Sequence, residues 1–192
     1  MFFRKYLSGN NIFSVCHGND KTSKYKPLLC KHIYDYSNSN KSFKFETKMK
    51  IRKAKKGDLK EIGKLMKREF SKPPFNERDS MKNVLKSLNF YFKIGEIFVA
   101  VSTEEIIGVI IVKFEQYWEG KVLLIEDLAV DRKFQNKGIG KELMKFVEDY
   151  AKKKNARFIF FKTHEKSKSI NFYKRLGYKK DKNIIFMGKK IK

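Results

Sequence analysis

Two side chains and one glycine-bearing turn in this chain of 192 residues have the types and spacing of a reaction centre. Glu126 stands in an otherwise apolar run, residues 122–130, where a charge is costly unless the segment borders a cleft. The run leads through a short polar loop into Gln135-Asn136-Lys137-Gly138-Ile139-Gly140-Lys141, and from there into an amphipathic stretch. Gly138 and Gly140 remove the Cβ at two positions, and a helix starting there contributes free N–H donors and the positive end of its dipole. Such a turn is shaped to grip a phosphate or pyrophosphate, with Gln135, Lys137 and Lys141 adding donors or charge. It is not the dinucleotide fingerprint, because Leu143 stands where a third glycine should be. Read by itself, it could equally be a plain turn before a helix. Tyr173 offers a phenol that could move a proton, or serves only as a core aromatic of a short helix. Asp127, next to Glu126, should face the opposite side of the strand by simple alternation and reads as structural.

The elements that must position these groups follow from hydrophobic period. Residues 50–54 form a short strand. A helix begins near Asp58, with Glu61 making a capping-box-like start, and continues through Leu59, Ile62, Leu65, Met66 and Phe70 until Pro73 and Pro74 end it. A second helix covers residues 79–92. Strands over 96–101 and 106–114 make a hairpin, and a turn at Gly120 brings 121–130 back as the central strand. A helix over 138–153, a strand over 157–163, a short helix over 169–176 closed by Gly177 and a last strand over 183–189 complete the order β-α-α-β-β-β-α-β-α-β. This is an α/β (α+β) fold with a mixed sheet and helices on both faces.

Composition bounds the rest. An apolar content of 41% with 18 Phe and 9 Tyr supports a real core, and no apolar run nears the roughly 20 residues that span a bilayer. A formal net charge of +24 attracts polyanions, but the lysines are dispersed, the weaker pattern for specific nucleic-acid binding. Residues 1–48 are rich in Asn, Ser, Lys and Tyr without sustained period. They read as a basic, poorly ordered extension ahead of a domain spanning 49–192; a targeting presequence, or a true start at Met49, stays open. Cys16, His17, Cys30 and His32 lie in that extension at a spacing uncommon for zinc, so no metal site is expected, and a cytoplasmic location makes a disulfide unexpected.

From Met49 onward the chain resembles the GNAT superfamily of N-acetyltransferases. The resemblance rests on Gln135-Asn136-Lys137-Gly138-Ile139-Gly140 after an apolar strand, followed downstream by Asn171-Phe172-Tyr173 and Gly177-Tyr178. The family's acyl-CoA motif is Arg or Gln, two residues, Gly, any residue, then Gly or Ala. Within the family, the stretch holding Trp118, Glu126, Asp127 and Leu128, and that holding Ser169 and Tyr173, look most like the diamine and thialysine acetyltransferase branch. The resemblance implies a mostly antiparallel sheet and acetyl-CoA as co-substrate. It places the cofactor along Leu128, Ala129 and Val130, its pyrophosphate on Asn136, Lys137, Gly138, Ile139, Gly140 and Lys141, and further contacts at Lys166 and Ser169. It makes Glu126 the group that binds or deprotonates a primary amine, backbone N–H groups near residues 128–130 the carbonyl polariser, and Tyr173 the proton donor to sulfur, by direct transfer without a covalent intermediate. Three departures are plain: Lys166 replaces a common Asn, Gln135 the commoner Arg, and the acid expected just after the first helix is missing, with Glu77 the nearest. The reaction is carried over and the diamine specificity is not. Expected partners are a small-molecule or peptide amine acceptor, with a protein or ribosomal amine, a homodimer, and nucleic-acid or ribosome association left open, and no membrane. A non-catalytic acyl-CoA sensor or nucleic-acid module on the same fold is the rival reading.

Overall fold

The computed structural model describes residues 49–181, 184–185 and 187–191. The expectations for residues 1–48, including Cys16, His17, Cys30 and His32, lie outside them. Five strands form one sheet in the order β1-β2-β3-β4-β5: β1 (Lys50–Lys53), β2 (Glu96–Ser102), β3 (Glu105–Tyr117), β4 (Gly120–Val130) and β5 (Phe158–Phe161). The first four pair antiparallel, and β5 joins β4 in parallel. The helices are α1 (Leu59–Phe70), α2 (Met81–Ile94), α3 (Ile139–Lys153) and α4 (Ser169–Arg175). The mixed, mostly antiparallel sheet with helices on both faces is as expected. No helix among the described residues is long and apolar enough to cross a membrane.

Each face of the sheet carries its own core. On one, α1 and α2 lay Leu59, Ile62, Leu65, Met66 and Leu88 against Ile97, Val99, Val109, Ile111 and Ala129. On the other, α3 lays Leu143, Met144, Val147 and Ala151 against Phe98, Ala100, Ile110, Val112, Leu123 and Ile125. Full burial of each such aliphatic side chain contributes about 1.5–3 kcal/mol, so α1 and α3 are pinned to the sheet by their apolar stripes. Phe98 stacks edge-on against Phe146 and Tyr150 at centroid distances of 4.9 and 5.1 Å, binding α3 to β2.

Local chemistry differs from expectation in four places. Asp58 does not cap α1 with its side chain; its Oδ2 accepts from the Lys55 N–H at 2.7 Å and from Arg52 Nη1 at 2.6 Å, closing the turn between β1 and α1. Glu61 reaches instead to the Ile106 N–H at 3.4 Å. The second helix starts at Met81, because Ser80 is its cap, its Oγ accepting from the Asn83 N–H at 3.2 Å. The last strand expected over 183–189 is not formed among the described residues: Ile184, Ile185 and Met187 are exposed and in no ladder. Strand propensity alone does not make a strand.

The Arg52 guanidinium beside Asp58 holds that carboxyl below its usual range. Its stabilising effect is therefore present above the unfolded carboxylate range and lost as pH falls below about 4. Asp58→Ala is expected to cost about 1–3 kcal/mol at pH 7, as for hydrogen bonds to a charged group, and much less at pH 3. Urea unfolding at both pH values checks this; an equal penalty at the two would mean that the ion pair contributes nothing.

Candidate active site

The site begins with how β4 ends. β5 pairs with β4 only from Val122↔Phe158 to Ile125↔Phe161, and beyond that the two parallel strands part. β4 continues against β3 to Gly108↔Val130, so among the described residues its side toward β5 is open past Ile125. The Asp131 N–H donates to Ile107 O on β3 at 2.9 Å. Strand alternation then turns the backbone groups of Val130 and Leu128 to the open side and those of Ala129 to β3. Of the three residues expected to meet a cofactor through their backbone, Leu128 and Val130 thus offer free N–H groups. Ala129 contributes a small buried side chain.

β4 also carries an irregularity where it leaves β5. The β3–β4 register steps from Ile111↔Asp127 to Val112↔Ile125, so Glu126 is an extra residue on β4, a β-bulge. Bulges reset alternation. Ile125 and Leu128 both pack with the α3 core, while Asp127 lines a cavity with residues of α1 and α2. The expectation that Asp127 faces away from Glu126 is corrected: the inserted residue puts both carboxylates on the α1–α2 side. There Glu126 Oε1 meets Lys113 Nζ at 2.9 Å, and burial, then the charge of Glu126, raises the Tyr91 phenol of α2. Lys113 in turn meets Glu115 at 3.1 Å, and Tyr117 donates to Glu115 at 2.6 Å. The two carboxylates raise Lys113 well above its usual range.

The cavity beside Asp127 measures about 150 Å³ and is walled by Met66, Phe70, Val84 and Leu88, with Lys67, Glu77, Asp79 and Asn83 among its polar groups. Burial first, then the charges of Glu77 and Glu126, push the Asp127 carboxyl up to about 6. Glu77 is raised as well, by burial and then by Asp79. Glu77 and Asp79 belong to the α1–α2 connection, so the acid missing directly after the first helix is supplied a few residues later.

The glycine turn follows β4. A 3-10 turn over Arg132–Phe134 is capped by Asp131, whose Oδ1 accepts the Lys133 N–H at 2.9 Å. Arg68 of α1 pairs with Asp131, and Glu69 accepts the Arg132 N–H at 3.3 Å. Gln135 points inward: its Nε2 donates to Val130 O at 2.8 Å and to Glu69 at 3.3 Å. It shapes the turn rather than reaching outward with its amide. Asn136 and Gly138 adopt positive φ, 62° and 86°, conformations that Asn tolerates and Gly favours. The first α3 bond, Glu142 N–H to Gly138 O at 3.0 Å, leaves the preceding N–H groups without intrahelical acceptors. The Ile139 side chain is buried in the α3 core, so only its backbone can meet a ligand. A Cβ on Gly140 would sit 3.4 Å from Phe172 of α4, so glycine here lets α4 close on the α3 N-terminus. The side chains of Lys137 and Lys141 are exposed at the turn, Lys137 with its ammonium 5.2 Å from the Phe134 ring centroid.

Tyr173 comes from the other side of the gap. Its ring lies 4.4 Å from that of Phe161, the last β5 residue paired to β4. Its phenol is raised by burial, offset by a hydrogen bond from Ser169. Ser169 Oγ is 2.7 Å from Ser167 Oγ, and Lys166 lies exposed in the same turn. His164 accepts the Lys166 N–H at 3.1 Å and packs edge-on to Phe75 at 6.5 Å. Trp118 is 94% exposed at the β3–β4 turn. Lys113, Tyr91, Arg68 and Glu69 were invisible to sequence reasoning: each acts through a partner distant in the chain, and no local pattern marks it.

Residues 60–178 match the model of the acetyltransferase (GNAT) family. A curated relative from Xenopus tropicalis, probable N-acetyltransferase 14, is 35% identical over 99 residues, covering 50% of this chain and 47% of that protein; the chain thus spans about half the length of the curated relative it matches. Among solved structures, a possible acetyltransferase from Clostridium difficile 630 superposes with a TM-score of 0.68 at 18% identity, covering 75% of this chain and 99% of that one. An aminoglycoside N-acetyltransferase, AAC(6')-Iy in complex with CoA, gives 0.63 at 20% identity, with 74% and 95% covered. At these identities the structures speak for the fold, and the family match spans β2, β3, β4, the glycine turn, α3, β5 and α4. The chain belongs to the GNAT family of acetyltransferases, which use acetyl-CoA as co-substrate.

Proposed function

We propose that the chain is an acetyl-CoA-dependent N-acetyltransferase that passes the acetyl group directly to the nitrogen of a cationic primary amine. The observation that carries this reading is the parting of β4 from β5 after Ile125, with the glycine turn at its mouth and ionisable groups approaching from both faces. The residues present suit acyl-CoA: Leu128 and Val130 offer backbone N–H groups to the pantetheine arm and the thioester carbonyl, while the amides of residues 136–141 face the pyrophosphate. Lys137, Lys141 and Lys166 add charge to the phosphates, and Ser169 fixes Tyr173.

Acetyl transfer to an amine needs a free lone pair, a polarised carbonyl and a proton for the departing sulfur. A carboxylate of the β4 bulge, Glu126 or Asp127, takes the ammonium proton. The amine attacks, an N–H of the open strand side stabilises the oxyanion, and Tyr173 protonates the sulfur. A phenol held above its usual range is neutral at pH 7 and able to donate. The acceptor enters from the α1–α2 side, where the cavity has apolar walls for a short alkyl segment and acids for its charge. Sisomicin, which appears in complex with an aminoglycoside acetyltransferase of this fold (TM-score 0.61, 22% identity), is a polyamine of this chemical kind and a reasonable first probe.

Tyr173→Phe is expected to lower kcat by about 100-fold with acetyl-CoA affinity unchanged. Gly138→Glu should abolish acetyl-CoA binding, by backbone strain at positive φ and by charge against the pyrophosphate. CoA-thiol release with sisomicin, spermidine and a lysine peptide, together with calorimetry of acetyl-CoA, checks both. Release at background for all three amines would overturn the reading.

A further inference from the structure

Resting on the acetyltransfer reading, we propose that Asp127 receives the proton of the acceptor amine, and that Glu126 is a positioning residue that holds the β4 bulge. The two carboxylates share a face but not a situation. Glu126 is committed to an ion pair: Lys113 Nζ lies 2.9 Å from its Oε1, and the Tyr91 phenol of α2 stands near enough for the Glu126 charge to help raise it. The ion pair joins β3 and β4 at the one residue the β3 ladder skips. A carboxylate so engaged would have to break an ion pair to accept a proton from substrate.

Asp127 is engaged by no such partner: apart from burial, what acts on it is the charge of Glu77 and Glu126, both of its own sign. It borders the cavity of about 150 Å³ whose apolar walls include Phe70 and Val84. The charged and titratable groups facing it are Lys67 on α1, Glu77 and Asp79 on the connection, Tyr91 on α2 and Glu126 on β4. Four of the five are acids or a phenol, so the neighbourhood favours a proton on Asp127. The same neighbourhood attracts an ammonium group.

The step balances as follows. The ammonium gives one proton to Asp127, and the freed lone pair forms the N–C bond at the thioester carbonyl. The tetrahedral adduct sheds a second nitrogen proton to solvent. The C–S bond breaks with its electron pair on sulfur, which takes a proton from Tyr173. Asp127 and solvent then restore Tyr173, leaving amide, CoA thiol and one net proton released.

Activity should require Asp127 to be ionised, so kcat/KM falls as pH drops through about 6. The stability consequence has the opposite sense. A carboxyl raised in the folded state binds its proton more tightly there than in the unfolded chain, so folded stability declines as pH rises from about 4 to 6. Asp127→Asn should therefore melt several degrees higher than wild type at pH 7.5, and at the same temperature as wild type at pH 4. That separates loss of chemistry from loss of fold.

The test is CoA release by wild type, Asp127→Asn and Glu126→Gln between pH 5 and 9, with sisomicin, spermidine and a lysine peptide as acceptors. Acetyl-CoA affinity is measured in parallel. Expected are a loss of at least about 100-fold in kcat and of the acid limb in Asp127→Asn, and a loss under about 10-fold with the limb retained in Glu126→Gln. An active wild type whose Asp127→Asn variant keeps rate and limb overturns the assignment to Asp127 while leaving acetyl transfer standing. A wild type inactive on all three amines overturns both.

Discussion

β4 must satisfy two neighbours that want different things. β3 runs antiparallel to it for its whole length, whereas β5 runs parallel and leaves after Ile125. A regular strand could not both keep the β3 ladder and change which face it shows at the point of departure. The extra residue at Glu126 does this at the cost of one unpaired ladder position. Upstream of it, Leu123 and Ile125 belong to the α3 core; downstream, Leu128 still does, and Asp127 and Ala129 look toward α1 and α2. The site thus depends on a hydrogen-bonding constraint, from which the cleft, its free N–H groups and the pairing of two carboxylates on one face all follow.

A cleft in a sheet is useful only if its rim is rigid. The last turn of α1 holds the loop after β4: Arg68 grips Asp131, and Glu69 accepts from the Arg132 N–H and the Gln135 amide. Gln135 also takes the Val130 carbonyl, covering an acceptor that the missing β5 partner would otherwise have left open. The turn that would meet a pyrophosphate is therefore fastened to the helix that walls the acceptor cavity. Preorganised donors cost no rearrangement when charge develops, which gives the clamp a role in holding the turn.

Where the sequence was legible, it was because local pattern and tertiary context agree. Alternating and continuous apolar runs announced β2, β3 and β4, and the stripe of Ile139, Leu143, Val147 and Ala151 announced α3. Gly138 and Gly140 announced the turn between them, because a backbone at positive φ and a close approach to Phe172 each ask for the missing Cβ. The bulge was not legible: a single inserted residue leaves the apolar run looking continuous, and only the ladder reveals that the count has changed. For the same reason Asp127 was misplaced by alternation. The last strand failed differently. Among the described residues Ile184, Ile185 and Met187 have the propensity yet stand exposed and outside every ladder, and propensity without packing against a neighbour is a weak guide. The partners of Glu126 and Asp127 come from β3, α1, α2 and the connection, and no spacing along the chain could have named them.

A protein of net charge +24 would be expected to repel a cationic acceptor, yet the charge that a bound amine feels is local. Exposed lysines act across water, where salt screens their field within roughly 8–10 Å. Glu77, Asp79 and Asp127 act at contact from the walls of a small apolar-sided cavity, where the effective dielectric is lower and each interaction correspondingly larger. The upward displacement of Asp127 comes first from its burial and then from the charges of Glu77 and Glu126, and an ammonium group would relieve that repulsion. The basic surface then falls to the other substrate. Lys137 and Lys141 stand at the turn where the CoA phosphates would lie, so on the proposed reading the two signs of charge would sort two substrates of opposite charge to opposite sides of one gap in the sheet.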